Sequence, residues 1–330
     1  MQISNFQILF FSTILLGTVI SISSTSWFGA WVGLELNLMS FIPFVSTKTN
    51  QFSSESTLKY FLIQALGSAT IVLTSCLIFY YFELAQTLIS TALLLKMGAA
   101  PFHFWFPQIM EGLSWPDALI LMTIQKIAPM ILLSYLCNNH SIIMISAVFS
   151  GAIGAVGGLN QTLLRSIMAF SSINHMGWML SALIISESSW IYYFVVYSIM
   201  TFSAILLFHS FKVFHLSQIT AMSSSNPMST ILLSTTLLSM GGLPPFLGFF
   251  PKWLLIQQLS MQSLFFMLFI LLLSALGTLY YYLRIITPLL TMVAPKTAWM
   301  STPPYMMMMV LMVVATNILG FFVTFFTYTF

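Results

Sequence analysis

Six side chains that can carry or exchange a proton lie within long apolar stretches of the sequence. They are four charged residues and two histidines: Glu35, Lys96, Lys126, Lys252, His103 and His175. A charged residue at mid-membrane costs about 2.5–3.5 kcal/mol on insertion scales, so four of them would cost on the order of 10–14 kcal/mol. Such residues usually face the interior of a helix bundle and mark an ion pathway, and histidine can relay protons near neutral pH. The residue types therefore predict a proton or cation pathway.

Each of these positions also has a structural interpretation. Glu35 and Lys126 lie at the centres of their apolar runs, too far from either membrane surface to reach it. Lys96 precedes a run rich in glycine and proline, where it can cap loosened backbone carbonyls, and Lys252 can extend to the membrane surface. Both histidines can be hydrogen-bonded core residues. Three polar neighbours of His175 can hold water in a proton path: Ser171, Ser172 and Asn174.

The composition places these residues in a helical membrane protein. Only 15 of the 330 residues are charged, which is 5%, whereas roughly 25% is usual in a soluble domain. With 59% hydrophobic residues the chain cannot cover a soluble surface, which excludes soluble enzymes, nucleic-acid-binding proteins and disordered proteins. The apolar runs are about 20 residues long and lack the alternation typical of membrane barrel strands. The predicted fold class is an all-α polytopic membrane protein.

The sequence predicts eleven transmembrane segments separated by short polar loops. They cover about residues 3–23, 26–46, 57–82, 84–113, 117–137, 141–160, 163–185, 189–214, 227–258, 262–290 and 303–328. All of them belong to a single membrane domain, residues 1–330. Within it, residues 1–137 and 138–290 are predicted to be two five-helix repeats, and residues 291–330 a C-terminal transmembrane helix.

Two of these segments are interrupted by glycine and proline, at Lys96–Pro107 and at Gly241–Lys252. An offset of 144 residues aligns Gly98 with Gly242 and also matches two prolines and two phenylalanines. Proline opens a helix because it lacks an N–H group. Each interrupted segment is the fourth of five, and an odd number of crossings inverts the second group. The sequence therefore predicts an inverted repeat with a broken helix in each half, as in ion transporters, with chance similarity as the alternative.

The distribution of basic residues between the predicted loops gives an orientation. Six lie on the side of the N-terminus: Lys48, Lys59, Arg165, Lys212, Arg284 and Lys296. The opposite side has no lysine or arginine and carries Glu83 and Glu187. Because basic loops stay in the compartment of synthesis, the N-terminus is expected there and the C-terminus opposite. The 23 methionines and 31 phenylalanines are typical of a chain made in a mitochondrion. There the N-terminus would face the matrix and the C-terminus the intermembrane space.

Six stretches of the sequence are similar to the motifs of one known family. They are Trp31–Asn37, Lys96–Pro107, Gln125–Pro129, Leu159–Gln161, Ser172–Trp178 and Gly241–Trp253. Over nearly its whole length the chain resembles the antiporter-like family of membrane-arm subunits of the proton-pumping NADH:ubiquinone oxidoreductase, respiratory complex I. The resemblance is to subunit 2 in its animal mitochondrial form, and no charged position departs from that pattern.

The resemblance implies roles for the charged residues. It implies a core proton-translocating subunit that couples NADH-to-ubiquinone electron transfer to proton pumping through buried glutamate and lysine residues. Glu35 would pair with Lys96. Lys126 would be the lysine of the central axis, and Lys252 the distal lysine toward the next antiporter-like subunit. As part of a translocase, the chain itself would carry out no redox chemistry.

The same resemblance implies where cofactors and partners lie. NADH, FMN, iron–sulfur clusters and ubiquinone are expected in other subunits, in agreement with the lack of nucleotide-binding motifs and metal-ligand spacings in this sequence. Expected partners are other membrane-arm subunits, including the neighbouring antiporter-like subunit 4 and the small subunit 4L, and membrane lipids such as cardiolipin. No nucleic acid is expected. The expected location is the mitochondrial inner membrane.

Two other functions stay open on the sequence alone. A stand-alone cation/proton antiporter would share the fold and would transport sodium as an isolated chain. A structural spacer of the membrane arm would pair its four buried charges without a water chain between them.

Overall fold

The computed structural model describes residues 5–46, 51–136, 140–222 and 227–291. These residues form fourteen α-helices and, outside them, one isolated antiparallel bridge between Leu163 and His215. The helices are α1 (Asn5–Ser23), α2 (Trp27–Val45), α3 (Gln51–Leu77), α4 (Phe82–Met97), α5 (Trp105–Gly112), α6 (Trp115–Met122), α7 (Ile124–Ser134), α8 (His140–Gly158), α9 (Leu164–Ile185), α10 (Glu187–Phe211), α11 (Leu216–Met222), α12 (Pro227–Gly241), α13 (Phe249–Met261) and α14 (Phe265–Thr291). The predicted all-α fold class is confirmed.

Eight helical stretches among the described residues are long and apolar enough to cross a membrane. They are Phe6–Ser23, Trp27–Val45, Gln51–Leu77, Trp115–Ser134, Ser141–Gly158, Leu164–Ile185, Glu187–Phe211 and Phe265–Thr291. Each of them overlaps one predicted segment. Of the other three predicted segments, two are divided into shorter helices, and 303–328 lies outside the described residues. The chain is a multi-pass helical membrane protein.

Close packing of α1 on α2 positions Glu35. A Cβ atom at Gly33 would lie 2.5 Å from the amide nitrogen of Ser21 and 2.8 Å from the carbonyl oxygen of Gly17. Only a residue without a side chain lets the two backbones approach this closely. Because Glu35 follows Gly33 by two residues on α2, this contact fixes its height along α1.

The first predicted interruption is present between α4 and α5. Gly98 ends α4 with a φ of 71°, in the left-handed region that favours glycine at helix ends. The amide of Gly98 donates to the carbonyl of Leu95 at 3.1 Å, and the amide of Ala99 donates to the carbonyl of Leu94 at 3.1 Å. The next helix begins only at Trp105.

The second predicted interruption, between α12 and α13, has the same backbone conformation. Gly242 has a φ of 80°. Its amide donates to the carbonyl of Ser239 at 3.0 Å, and the amide of Leu243 donates to the carbonyl of Leu238 at 3.3 Å. Each of these four residues lies 144 positions after its counterpart in the first interruption. The similarity between the two segments thus extends from residue type to backbone hydrogen bonding.

A third interruption, which was not predicted, divides the segment over residues 117–137. Helix α6 ends at Met122 and α7 begins at Ile124, with Thr123 between them at a φ of −114° and a ψ of −76°. The amide of Lys126 donates to the carbonyl of Thr123 at 3.1 Å, which is the spacing of a tighter turn than the α-helix. No glycine or proline stands at Thr123 itself, but Pro129, inside α7, lacks the amide that would bond the carbonyl of Gln125 and so weakens the helix just after the break.

The chain forms two compact units, Met1–Ser150 and Gly151–Phe330. In the first unit α3 packs on α2, α4 and α5, and α7 packs on α1, α2 and α4. In the second unit α9 packs on α10, α13 and α14, while α12 packs on α10 and α14. Each unit contains one of the two glycine-terminated interruptions. The repeat boundary between residues 137 and 138 stays a prediction.

Candidate proton-transfer residues

Lys96 lies at the end of α4 and is only 6% exposed. Its side chain runs along α3 beside Gly67, where an added Cβ atom would lie 3.0 Å from Lys96 Cγ. Gln64, which precedes Gly67 on α3, donates from Nε2 to the carbonyl of Lys96 at 3.1 Å. Helix α3 therefore positions both the backbone and the aliphatic stem of this lysine.

Other groups bond the backbone carbonyls at the end of α4. Trp105 Nε1 donates to the carbonyl of Leu95 at 3.1 Å, in addition to the amide bonds made by Gly98 and Ala99. Within the described part of the chain, Lys96 Nζ donates to none of these carbonyls. The interpretation of Lys96 as a helix cap therefore finds no support, and its charge is available for another role.

Glu35 is the acidic group that acts on Lys96. It lies on α2, which packs against α3, and its carboxylate interacts electrostatically with the Lys96 ammonium group. Glu35 is half-buried, and its Oε2 atom is buried without a hydrogen-bond partner among the described residues. A buried oxygen in this state is uncommon in folded proteins and is often found at functional sites. Among the described residues the two side chains form no ion pair within 4.0 Å, so Glu35 acts on Lys96 over a longer distance.

Lys126 is the most deeply buried of the three intramembrane lysines, at 2% exposure. It follows the interruption at Thr123, and its Nζ atom lies 5.0 Å from the centroid of the Phe106 ring. Phe106 also packs on the first interruption, since a Cβ atom at Gly98 would lie 3.2 Å from Phe106 Cβ. The aromatic face attracts the ammonium group by a cation–π interaction. The first interruption thus contributes directly to the surroundings of Lys126.

A polar bridge beside Lys126 joins three helices and was missed in the sequence. Gln125 Nε2, on α7, donates to Asn37 Oδ1, on α2, at 2.9 Å. The Tyr60 hydroxyl, on α3, donates to Gln125 Oε1 at 3.3 Å. Gln125 and Asn37 lie near charged residues in the motifs shared with the family. No other feature of the sequence indicates that they form a hydrogen bond with each other. The bridge links the helix of Glu35 to the helix of Lys126.

Lys252 lies near the start of α13 and is 6% exposed, so the interpretation that it extends to the membrane surface is wrong. Its Nζ atom donates to the carbonyl of Gly241, the last residue of α12, at 2.9 Å. A Cβ atom at Gly242 would lie 2.9 Å from the same nitrogen. At the second interruption an ammonium group therefore bonds a backbone carbonyl. At the first interruption the side chains of Gln64 and Trp105 bond the carbonyls.

The two histidines differ in their surroundings. His103 lies between α4 and α5, is buried, and has its Nδ1 atom 3.3 Å from the carbonyl of Pro101. His175 lies on α9, is 3% exposed, and has its Nδ1 atom 2.9 Å from the Tyr193 hydroxyl. Asn174 beside it donates to the carbonyl of Gly151 at 3.0 Å. A carbonyl can only accept, so it holds a proton on His103 Nδ1, whereas a hydroxyl can donate or accept.

The six predicted residues fall into the two units. Four lie in the first unit: Glu35, Lys96, His103 and Lys126. The other two, His175 and Lys252, lie in the second unit on helices α9 and α13, which pack against each other. In the first unit Glu35 acts on Lys96, whereas in the second unit a hydroxyl group bonds His175 and a carbonyl group bonds Lys252.

A family model described as NADH:quinone oxidoreductase/Mrp antiporter, TM, matches residues 24–84 and 79–277. The NADH-ubiquinone oxidoreductase chain 2 of Anopheles gambiae is 48% identical over 301 residues and covers 88% of each chain. That of Aedes aegypti is 47% identical over 321 residues and covers 94% of each chain. This chain belongs to the NADH-ubiquinone oxidoreductase chain 2 family. The resemblance identified from the sequence motifs is confirmed.

Solved structures show that this member of the chain 2 family shares its fold with more distant proteins. A chain of respiratory complex I from Thermus thermophilus aligns with a TM-score of 0.85 at 23% identity, covering 96% of this chain and 79% of that one. A chain of an archaeal membrane-bound sulfane sulfur reductase aligns with a TM-score of 0.84 at 16% identity, covering 97% and 73%. At these identities the comparison concerns the fold alone.

Proposed function

We propose that this chain is a core proton-translocating, antiporter-like subunit of the membrane arm of respiratory complex I. One observation supports the proposal beyond family membership. Each of the three buried lysines lies within three residues of a helix end at an interruption: Lys96 in α4, Lys126 in α7 and Lys252 in α13. An interruption frees backbone polar groups, which are tolerated at membrane depth only inside protein or beside water. Buried ammonium groups at such points are suited to proton exchange.

The energy of one transfer is of the size that these charges can supply. Moving one charge against about 180 mV costs roughly 4 kcal/mol. Two unit charges that approach each other to about 4 Å interact by about 4 kcal/mol at an effective dielectric constant of about 20. Movement of the Glu35 carboxylate toward or away from Lys96 therefore changes the charge state of Lys96. That change biases Lys126 and then Lys252, with His103 and His175 as relay groups.

The finer architecture is part of the same proposal. The chain has eleven transmembrane segments, arranged as an inverted repeat of five plus five with a final C-terminal helix. The N-terminus faces the matrix and the C-terminus the intermembrane space of a mitochondrial inner membrane. The matching hydrogen bonds of the two interruptions support the repeat, and the one-sided distribution of basic residues supports the orientation.

Redox chemistry and contacts to partners are assigned to the rest of the complex. NADH, FMN, iron–sulfur clusters and ubiquinone bind to other subunits, and this chain supplies the charged residues that their reaction drives. Its neighbours are other membrane-arm subunits, including the antiporter-like subunit 4 and the small subunit 4L, together with lipids such as cardiolipin.

The decisive experiment replaces Lys126 with alanine in the whole complex and measures protons moved per electron in proteoliposomes. We expect NADH oxidation to continue with fewer protons moved for each electron. Lys59→Ala is the matched control, because Lys59 is exposed and pairs with Glu55 at 2.7 Å on the surface of α3. Full pumping by Lys126→Ala with normal NADH oxidation would reject the proposal.

Two alternatives give different results in related experiments. A stand-alone cation/proton antiporter would move sodium across vesicles as an isolated chain. A structural spacer would keep its proton stoichiometry in variants of all three buried lysines. The hydrogen bond from Lys252 to Gly241 favours a structural contribution at that one position, so stability and pumping need to be measured separately there.

A further inference from the structure

A buried tyrosine holds one nitrogen of His175. The Tyr193 hydroxyl lies 2.9 Å from His175 Nδ1 at the contact between α9 and α10. Tyr193 is 1% exposed, so bulk water does not compete for this bond. The sequence motif identified His175 but not its partner, which lies 18 residues farther along the chain.

A hydroxyl partner has a consequence that a carbonyl partner lacks. A hydroxyl can donate to a bare imidazole nitrogen or accept from a protonated one, because its hydrogen rotates. Among the described residues the Tyr193 hydroxyl bonds His175 Nδ1 and no second group, and a buried hydroxyl hydrogen is rarely left unpaired. In neutral His175 the hydroxyl therefore donates to Nδ1, which places the ring proton on Nε2. In protonated His175, Nδ1–H donates to the Tyr193 oxygen. Nδ1 therefore stays bonded to Tyr193 in both charge states, and proton exchange with a path takes place at Nε2.

A second tyrosine on the same helix serves as an internal comparison. Tyr197 packs its ring against the His175 imidazole with centroids 5.1 Å apart and an interplanar angle of 47°. Its hydroxyl lies beside Ser172, one turn before His175 on α9. Tyr197 thus packs its tilted ring against the imidazole, whereas the Tyr193 hydroxyl bonds Nδ1.

We propose that Tyr193 is a positioning residue for proton transfer, which fixes the tautomer of His175 so that protons enter and leave through Nε2. The inference rests on the proposed proton-translocating function and adds a specific partner to one of its relay groups. It is a claim about which ring nitrogen exchanges protons, and a purely structural tyrosine would not affect that choice.

The test compares Tyr193→Phe with Tyr197→Phe in the assembled complex. Both changes remove one hydroxyl and keep the ring, so assembly on native gels is expected to be unchanged. Infrared difference spectra recorded on NADH addition report the imidazole ring bands that distinguish the Nδ1–H from the Nε2–H tautomer. Ring-15N histidine and a His175→Gln complex assign the bands of His175.

We expect Tyr193→Phe to move the His175 bands and to lower protons per electron toward the value of His175→Gln. We expect Tyr197→Phe to leave the bands in place. Unmoved bands in Tyr193→Phe, or equal band shifts in both variants, would overturn the inference. If Tyr193→Phe does not assemble, the ring-15N bands of His175 in the unmodified complex decide the question. The Nε2–H tautomer is expected for neutral His175, and the Nδ1–H tautomer would overturn the inference.

The result is separable from the test of the overall function. Loss of pumping in Lys126→Ala together with unmoved bands in Tyr193→Phe would leave the proposed function standing and remove this inference. Full pumping in Lys126→Ala would remove the proposed function, while the band positions would still show whether Tyr193 fixes the tautomer.

Discussion

Lys252 Nζ donates a hydrogen bond of 2.9 Å to the carbonyl oxygen of Gly241. The bond joins the end of α12 to the start of α13 across the second interruption. A hydrogen bond from a charged donor is roughly twice as strong as one from a neutral donor. Release of a proton from Lys252 would therefore weaken the connection between the two halves of the broken helix. Charge state and local conformation are coupled at this residue.

Replacement of Lys252 separates its structural role from its proton-carrying role. Lys252→Ala leaves the Gly241 carbonyl without this donor, which costs about 1–3 kcal/mol for a buried group. Lys252→Gln retains an amide donor and removes the charge. We expect both variants to move fewer protons per electron, and only the alanine variant to lower the midpoint temperature at which the complex disassembles on native gels. Lys212→Gln, at the end of α10, is the control. Unchanged proton stoichiometry in Lys252→Gln would contradict a proton-carrying role.

The glycine pair at the second interruption offers a matched comparison. Alanine at Gly242 is strained, because φ is 80° and the new Cβ atom would lie 2.9 Å from Lys252 Nζ. Alanine at Gly241 meets only ordinary contacts, at 3.8 Å from Tyr282 and 3.9 Å from Leu279. We expect Gly242→Ala to cost about 1–3 kcal/mol and to reduce pumping by displacing Lys252. Gly241→Ala is expected to stay within about 0.5 kcal/mol. Equal thermal midpoints and equal pumping in the two variants would show that the left-handed turn is not required.

The sequence predicted the interruptions at Gly98 and Gly242 because glycine and proline mark helix breaks with a known backbone preference. The break at Thr123 was not predicted, because no glycine or proline stands at that position and Pro129, which removes the amide bond to the Gln125 carbonyl, lies six residues later. The charged residues stood out because charges are so rare in this chain.

The hydrogen-bond partners of the candidate residues were harder to predict than the candidate residues themselves. Tyr193 is one of 12 tyrosines, and nothing in its spacing separates it from the others. The contact from Lys252 to Gly241 spans 11 residues and depends on how the chain turns between α12 and α13. Such bonds follow from the path of the backbone through an irregular segment, which residue types alone do not determine.

The aromatic contact of Lys126 can be tested by removing the ring. Phe106→Leu keeps an apolar side chain but loses the face that lies 5.0 Å from Lys126 Nζ. A cation–π interaction contributes about 0.5–2 kcal/mol, which corresponds to roughly a 2- to 30-fold change in an equilibrium. We expect protons moved per electron to fall while NADH oxidation is retained. Phe79→Leu is the control, because Phe79 is 89% exposed and lies outside the proposed proton-transfer residues. Equal pumping by the two variants would assign Phe106 to packing only.

The bridge between Gln125 and Asn37 is expected to stabilise the first unit as a pair. Gln125→Leu removes the amide that donates to Asn37 Oδ1 at 2.9 Å. Because Asn37 is buried, the loss of this donor costs about 1–3 kcal/mol. Asn37→Leu likewise leaves Gln125 Nε2 without its acceptor. If the two residues act through this bond, the double variant loses less than the two single losses added together, with a coupling of about 0.5–3 kcal/mol. Thermal midpoints of the assembled complex for the four members of the cycle measure that coupling. Gln51→Leu, at the exposed start of α3, controls for general loss of an amide. Additive losses would mean that the bond does not couple α2 to α7, and the positioning of Glu35 would then depend on the packing of α2 against α1 and α3.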